Sequence, residues 1–157
     1  MLVITPNNSK ISSTITSIRG FVNNRHKALI GLILLNNQLD YKRQEVLKPY
    51  NITTQQYNVL RILRGQHPKV ISMQDIRRRM LDKQSDVTRL IERLMKAELV
   101  TRGIYEHDKR IINISITQKG LDLLKILDEK VPANWEFEGV FDAEIDQLII
   151  IIEKMLD

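Results

Sequence analysis

Residues 72–120 read SMQDIRRRMLDKQSDVTRLIERLMKAELVTRGIYEHDKRIINISITQKG, and the change of periodicity along them decides the fold. Ser72 can cap a short helix, with Asp75 near its positive end and Ile71 facing Ile76 as a hydrophobic staple. Met73, Ile76 and Met80 form the apolar stripe of that helix, and Leu81-Asp82-Lys83 turns the chain. A second helix is expected from about Gln84 to Ala97, because Val87, Leu90, Ile91 and Leu94 recur at i, i+3, i+4 and i+7. The period then drops to two. Leu99 to Tyr105 reads as one strand, and Ile112, Ile114 and Ile116, alternating with Asn113, Ser115 and Thr117, read as another. The polar link Glu106 to Arg110 makes the pair a hairpin, and Thr117 can cap the helix that follows.

Upstream, Thr53 and Gln56 form a capping box that opens a helix through Val59, Leu60 and Leu63 to about Arg64, with Ile52 and Tyr57 as its staple. Before it, Asn23 to Lys48 is helical in pattern, with Leu29, Ile30, Ile33, Leu34 and Leu39 largely on one face, and Pro49 stops the run. Downstream, Leu121, Leu124, Leu127 and Val131 line one helix up to Pro132. A last helix from near Asp142 carries Ile145, Leu148, Ile149, Ile152 and Leu156 on one side. The expected fold is therefore mainly α with a small β wing. A winged helix-turn-helix core spans residues 51–119, an N-terminal arm and helix precede it in 1–50, and C-terminal helices follow it in 120–157.

Composition narrows the function. The chain has 157 residues, 43% hydrophobic and 27% charged, enough for a sizeable core without covalent staples. There is no cysteine, which excludes disulfides, thiolate chemistry and iron–sulfur clusters. His26, His67 and His107 lie far apart without metal-type spacing, so no metal is expected. The longest apolar run, Ala28 to Leu35, is far short of the ~20 residues of a membrane span. Met1 to Lys10 lacks the apolar block of a secretory signal, so a cytoplasmic protein is expected. No nucleophile elbow, phosphate-cradling loop or paired metal ligands appear, and neither a catalytic residue nor a cofactor is expected.

Charge is unevenly distributed. Residues 1–50 hold seven basic and two acidic residues, 51–119 hold fourteen and seven, and 120–157 hold three and ten. A basic middle beside an acidic end suits a polyanion-binding module joined to something kept off the polyanion. Three basic sets fall on the elements that a helix-turn-helix with a wing would present to one duplex. The first is Arg77, Arg78 and Arg79 on the short helix, as a phosphate clamp, with Ser72 at its start and Lys83 in the turn. The second is the outer face of the longer helix: Ser85, Thr88 and Arg89 in the first turns, where base edges are usually met, and Arg93 and Lys96 beyond. The third is Lys109 and Arg110 in the wing, with Arg102 at its base. Each set alone is what any solvated helix or hairpin looks like. Their coincidence carries the reading.

The pieces ITTQQYNVLRIL, VTRLIERLMKAELVTR, DKR and ITQKG resemble the MarR family of winged-helix transcription regulators. The resemblance implies that 84–97 is a recognition helix, that Arg110 reaches a minor groove and that Asp108 orients a basic side chain. It also implies that the first long helix and the last two form a homodimerisation region, and that double-stranded DNA with a pseudo-palindromic operator is the partner. A small, often aromatic, effector would release the DNA. The chain departs from the family at Glu98, where glycine is frequent, and a left-handed backbone there penalises any other side chain. Lys109 also stands where arginine is frequent. The alternative is a winged-helix module for protein–protein assembly, its basic face meeting an acidic partner.

Overall fold

The computed structural model describes residues 22–104, 112–131, 137 and 139–156. The chain divides into two compact units, Met1–Lys42 and Arg43–Asp157. Helix α1 spans Asn24–Leu47. Within the first unit its Leu29, Leu32, Ile33 and Leu35 are all more than a third exposed. At its end Pro49 acts as expected: Lys48–Tyr50 tightens into a single 3-10 turn. Asn51, at φ 55°, then donates its N–H to the Lys48 carbonyl at 3.0 Å. Asparagine is one of the few residues that enter the left-handed region cheaply.

The second unit is built on helix α2, Thr54–Arg64, and the expected capping box is present. The Gln56 N–H donates to Thr53 Oγ1 at 3.2 Å, and the Thr53 N–H donates to Gln56 Oε1 at 2.9 Å. Val59, Leu60 and Leu63 are then buried, and they join Ile76, Met80, Val87, Ile91, Leu94, Val100, Ile114, Ile116, Leu124 and Leu127 in one core. Helix α3, Met73–Arg79, is capped by Ser72, whose Oγ accepts the Asp75 N–H at 3.1 Å. Helix α4 follows at Val87–Lys96, and helix α5 at Gln118–Lys130.

The structure differs from the sequence reading in the sheet and at the start of α4. The sheet has three strands rather than two: β1 (Ile71–Ser72), β2 (Val100–Ile104) and β3 (Ile112–Ile116), antiparallel in the order β1-β3-β2. Ile71 pairs with Ile114 and Ser72 with Asn113, so β3 is central, and Asn113 is buried between Ser72 and Gly103. Two residues cannot display a period, which is why β1 has no sequence signal. The second difference is the start of α4, three residues later than expected. The Asp86 side chain caps it by accepting the Arg89 N–H at 3.1 Å. Upstream, Asp82 accepts the Gln84 N–H and the Ser85 hydroxyl, both at 2.9 Å, and holds those residues in a turn. Ser85 therefore precedes the helix instead of standing in its first turn.

The carboxyl end of α4 is fixed by a left-handed cap of the Schellman type. Glu98, at φ 60°, donates its N–H to the Met95 carbonyl at 2.9 Å, and Leu99 reaches back to the Leu94 carbonyl at 3.0 Å. Leu94 and Leu99 are both buried, supplying the apolar contact that accompanies this motif. The next helix docks on that cap. The Thr117 N–H donates to the Leu99 carbonyl at 3.1 Å, its hydroxyl donates to the Glu98 carbonyl at 2.8 Å, and its Oγ1 accepts the Gly120 N–H at 3.1 Å. Lys119 Nζ lies 2.8 Å from Glu98 Oε2. Gly120 is required by this approach: a Cβ there would sit 2.7 Å from Ile116 Cγ1 and closer still to the Leu99 carbonyl oxygen.

Helix α6, Asp142–Leu156, buries no residue. Ile149, Ile150, Ile151 and Ile152 are between 42% and 54% exposed, so its apolar surface is broader than the single side the spacing predicts. No described helix is long and apolar enough to cross a membrane.

Two outcomes follow from the junction between α4 and α5. Gly120→Ala should destabilise the fold by about 1–3 kcal/mol, the usual cost of overpacking, because backbone cannot move aside; urea unfolding measures it. Glu98→Gly should unfold at a higher temperature than Glu98→Ala, because both lose the Lys119 contact and only glycine is free of the left-handed strain.

Candidate nucleic-acid interface

At 3.6 residues per turn, Val87, Ile91 and Leu94 place one face of α4 in the core, and all three are buried. Leu90 is partly buried against the same cluster. On the opposite side Asp86, Arg89, Arg93 and Lys96 fall within about 80° of one another around the axis, and all four are exposed. The side chains of Arg89, Arg93 and Lys96 make no hydrogen bond or ion pair among the described residues. Arg89 thus points outward, as a reading residue must. A helix of about 10–12 Å diameter fits the ~12 Å major groove of B-form DNA, so this stripe is geometrically able to meet base edges.

The remaining cations separate into two groups. Some are occupied by the scaffold. Arg77 Nη2 donates to Thr88 Oγ1 at 3.1 Å, tying α3 to α4 and engaging two expected contact residues with each other. Lys83 Nζ donates to the Arg78 carbonyl at 2.6 Å, where a cation offsets the negative carboxyl end of α3. Arg78 stands 3.7 Å from Asp75, and the Ser72 hydroxyl donates to Asp75 Oδ2 at 2.7 Å. Arg79 and Arg102, both exposed, have no such partner among the described residues. The wing positions Asp108, Lys109 and Arg110, together with His107, lie outside the described residues.

Sequence reasoning misses three positioning residues. Asn58, in the middle of α2, accepts the Leu81 N–H on Oδ1 at 3.1 Å and so fixes the turn between α3 and α4. Its only sequence signal is a polar residue between the apolar Tyr57 and Val59. Asp82 and Asp86 organise the entry to α4. Together with Gln55, Ser85, Arg89, Leu90 and Arg93 they line a shallow recess of about 220 Å³ at the amino end of α4. On another face, Tyr50, Ile52, Leu99, Leu123 and Ile126 line a groove of about 520 Å³, with Lys119 and Asp122 among its polar members.

A helix pair whose second member exposes a polar stripe, followed by a small antiparallel sheet, is a winged helix-turn-helix. Comparison with known proteins agrees. Residues 50–111 match the model of the MarR family. The chain is 29% identical over 106 residues to the HTH-type transcriptional regulator YpoP of Bacillus subtilis strain 168, covering 66% of this chain and 74% of that protein. The crystal structure of a MarR transcription factor from Planctomyces limnophilus superposes with a TM-score of 0.65 at 29% identity, covering 85% of this chain and 98% of the other. A mutant MarR from E. coli, crystallised in complex with operator DNA, shares the fold with a TM-score of 0.74 at 22% identity, covering 88% and 100%. Over residues 50–111 and in its fold, the chain is similar to MarR-family transcription regulators.

The Glu98 carboxyl is held below its usual range, first by the hydrogen bond from Lys119 and then by that ammonium's charge. The bond lies between exposed side chains just past the carboxyl end of α4. A lowered folded-state value means that its contribution to stability is present above the ordinary glutamate range and is lost as pH falls through the lowered value. In Glu98→Gln the acid limb of the stability–pH curve should accordingly be shallower, as read by thermal unfolding between neutral and acid pH.

The two groups of cations should separate in stability measurements. Lys83→Ala should cost about 0.3–1 kcal/mol through the uncapped end of α3. Arg93→Ala should stay within about 0.5 kcal/mol of the parent, because it removes no contact. Chemical denaturation of the two variants decides this.

Proposed function

We propose that the chain is a homodimeric repressor that binds a pseudo-palindromic operator in double-stranded DNA and releases it when a small ligand binds. The observation that carries this reading is the unpaired stripe of Arg89, Arg93 and Lys96 on the outer face of α4, opposite the buried Val87, Ile91 and Leu94. No described residue pairs with those three side chains, and their spacing suits a groove. Arg89, nearest the amino end, is the base-reading residue, since a guanidinium donates two bonds to guanine. Arg93, Lys96 and Arg79 hold phosphates. Ser72, Arg77, Arg78, Lys83, Ser85 and Thr88 support the interface from within. Arg102 and the wing residues Asp108, Lys109 and Arg110 extend the contact to the minor groove. The operator complex of the E. coli MarR mutant, a protein of the same fold, supports the geometry.

Dimerisation accounts for the exposed apolar side chains of α6 and of the first unit's Leu29 to Leu35. Residues 1–50 and 120–157 supply that interface, and the acidic end keeps the latter off the phosphates. The groove at Tyr50, Ile52, Leu99, Leu123 and Ile126 is the ligand site of this reading. Its size lies in the range of ~300–1,000 Å³ typical for small molecules, and its apolar walls suit an aromatic ring. Leu99 belongs both to the groove and to the cap of α4, so a ligand that prefers a displaced Leu99 shifts the population of α4 orientations.

Sites selected from a random duplex pool, followed by anisotropy titrations, test the reading. The expected result is a twofold site with binding that weakens steeply with salt, log K falling by about 0.9 per phosphate neutralised. Arg89→Ala should lose about 1–3 kcal/mol of discrimination between that site and random duplex. Arg110→Ala should weaken all duplexes alike. Salt-insensitive binding, or two folded variants that bind like the parent, would overturn the proposal, and retention of a protein partner without any duplex would favour the assembly module instead.

A further inference from the structure

The stripe that faces outward on α4 opens on a carboxylate, which a surface meant only to hold phosphates would exclude. Asp86 is exposed and shares the recess at the amino end of the helix with Arg89 and Arg93. One of its oxygens, Oδ1, accepts the Arg89 N–H at 3.1 Å and caps the helix. Its other oxygen, Oδ2, has no partner among the described residues, and no ion pair forms with the neighbouring guanidinium of Arg89. The two carboxylates nearest to it in the turn and on α3 are occupied. Asp82 uses both oxygens on Gln84 and Ser85, and Asp75 meets Ser72 and Arg78. Asp86 presents its free acceptor at the amino end of α4, beside Arg89, whereas the exposed Glu92 stands one turn further along the helix.

Resting on the DNA-reading proposal above, we propose that Asp86 is a specificity-determining residue: Oδ2 accepts a hydrogen bond from the exocyclic amino group of a cytosine in the major groove, beside the guanine met by Arg89. A carboxylate only accepts. Guanine offers N7 and O6 to the major groove and thymine offers O4, so these bases would set acceptor against acceptor. Cytosine offers N4–H₂ with no competing acceptor. Adenine offers N6–H₂ next to the N7 acceptor, and it ranks second. The carboxylate also repels phosphate, so it lowers affinity for every duplex and returns part of that loss only where the amino group is present. Arginine supplies attraction and aspartate supplies rejection from one helical turn.

A pure capping role makes a different prediction, because asparagine and serine cap as well as aspartate does. The test compares the parent chain with Asp86→Asn and Asp86→Ser in selection from a random duplex pool and in anisotropy titrations on random duplex. The unfolding midpoints should stay within a few degrees of the parent. The parent should enrich one cytosine per half-site. Both variants should lose that preference by roughly 5- to 10-fold and bind random duplex at least about 2-fold more tightly. If the parent selects a site and both folded variants select the same bases with unchanged affinity for random duplex, Asp86 is a cap and the inference fails alone. If the parent selects no sequence at all, the DNA-reading proposal fails and takes the inference with it.

Discussion

The orientation of α4 depends on a backbone junction of three residues at its carboxyl end. Glu98 turns left-handed, Leu99 folds under the helix into the core, and both carbonyls are taken by Thr117. The same threonine opens α5, so the end of one helix and the start of the next share a single hydrogen-bonded corner. Gly120 lets the two chains approach within the space that a Cβ would need. A helix that is to meet a partner surface must be presented at a fixed angle, and side-chain packing alone leaves such an angle soft. The junction supplies direction as well as contact, since hydrogen bonds at about 3 Å constrain geometry where apolar burial does not.

From this corner the polar residues around α4 divide by position. Those near its amino end and along α3 are tied to one another: Arg77 to Thr88, Lys83 to the Arg78 carbonyl, Ser85 to Asp82, and Leu81 to Asn58 across to α2. Each link is individually modest, but together they hold a short helix that its seven residues could not maintain alone. The side chains of Arg89, Arg93 and Lys96 on the outer stripe have no partner among the described residues. Rigid support behind free donors is the arrangement that recognition favours, because donors held in place lose less freedom on binding.

Much of this was legible in the sequence, and the legible part is local. The caps at Thr53, Ser72 and Thr117 need only a hydroxyl and the helix that follows, and each forms as its residues imply. The buried face of α4 follows from spacing alone. The start of that helix did not follow, because Ser85 and Asp86 are both competent caps and the choice is made by Asp82, which captures the serine. Strand β1 was invisible because it exists through its pairing with β3 and has no pattern of its own. The spacing of the run Arg77-Arg78-Arg79 points Arg78 outward with the other two on its flanks, and says nothing of their partners. In the fold the first is spent on Thr88, the second faces Asp75, and the third stands clear. Glu98 illustrates the reverse case, in which resemblance flagged a position whose left-handed backbone the fold then displayed.

The central claim is that the outward stripe of α4, held by the Leu99–Thr117 corner, is the surface that engages duplex DNA. Guanidinium Nε–H resonances of Arg89 and Arg93, followed by NMR while duplex is added, address it most directly. The account requires both to shift and to become protected from solvent exchange, while the backbone amides of Glu98, Leu99 and Gly120 keep their positions. Duplex-induced shifts confined to α5 and α6, with both guanidinium signals unmoved, would contradict it.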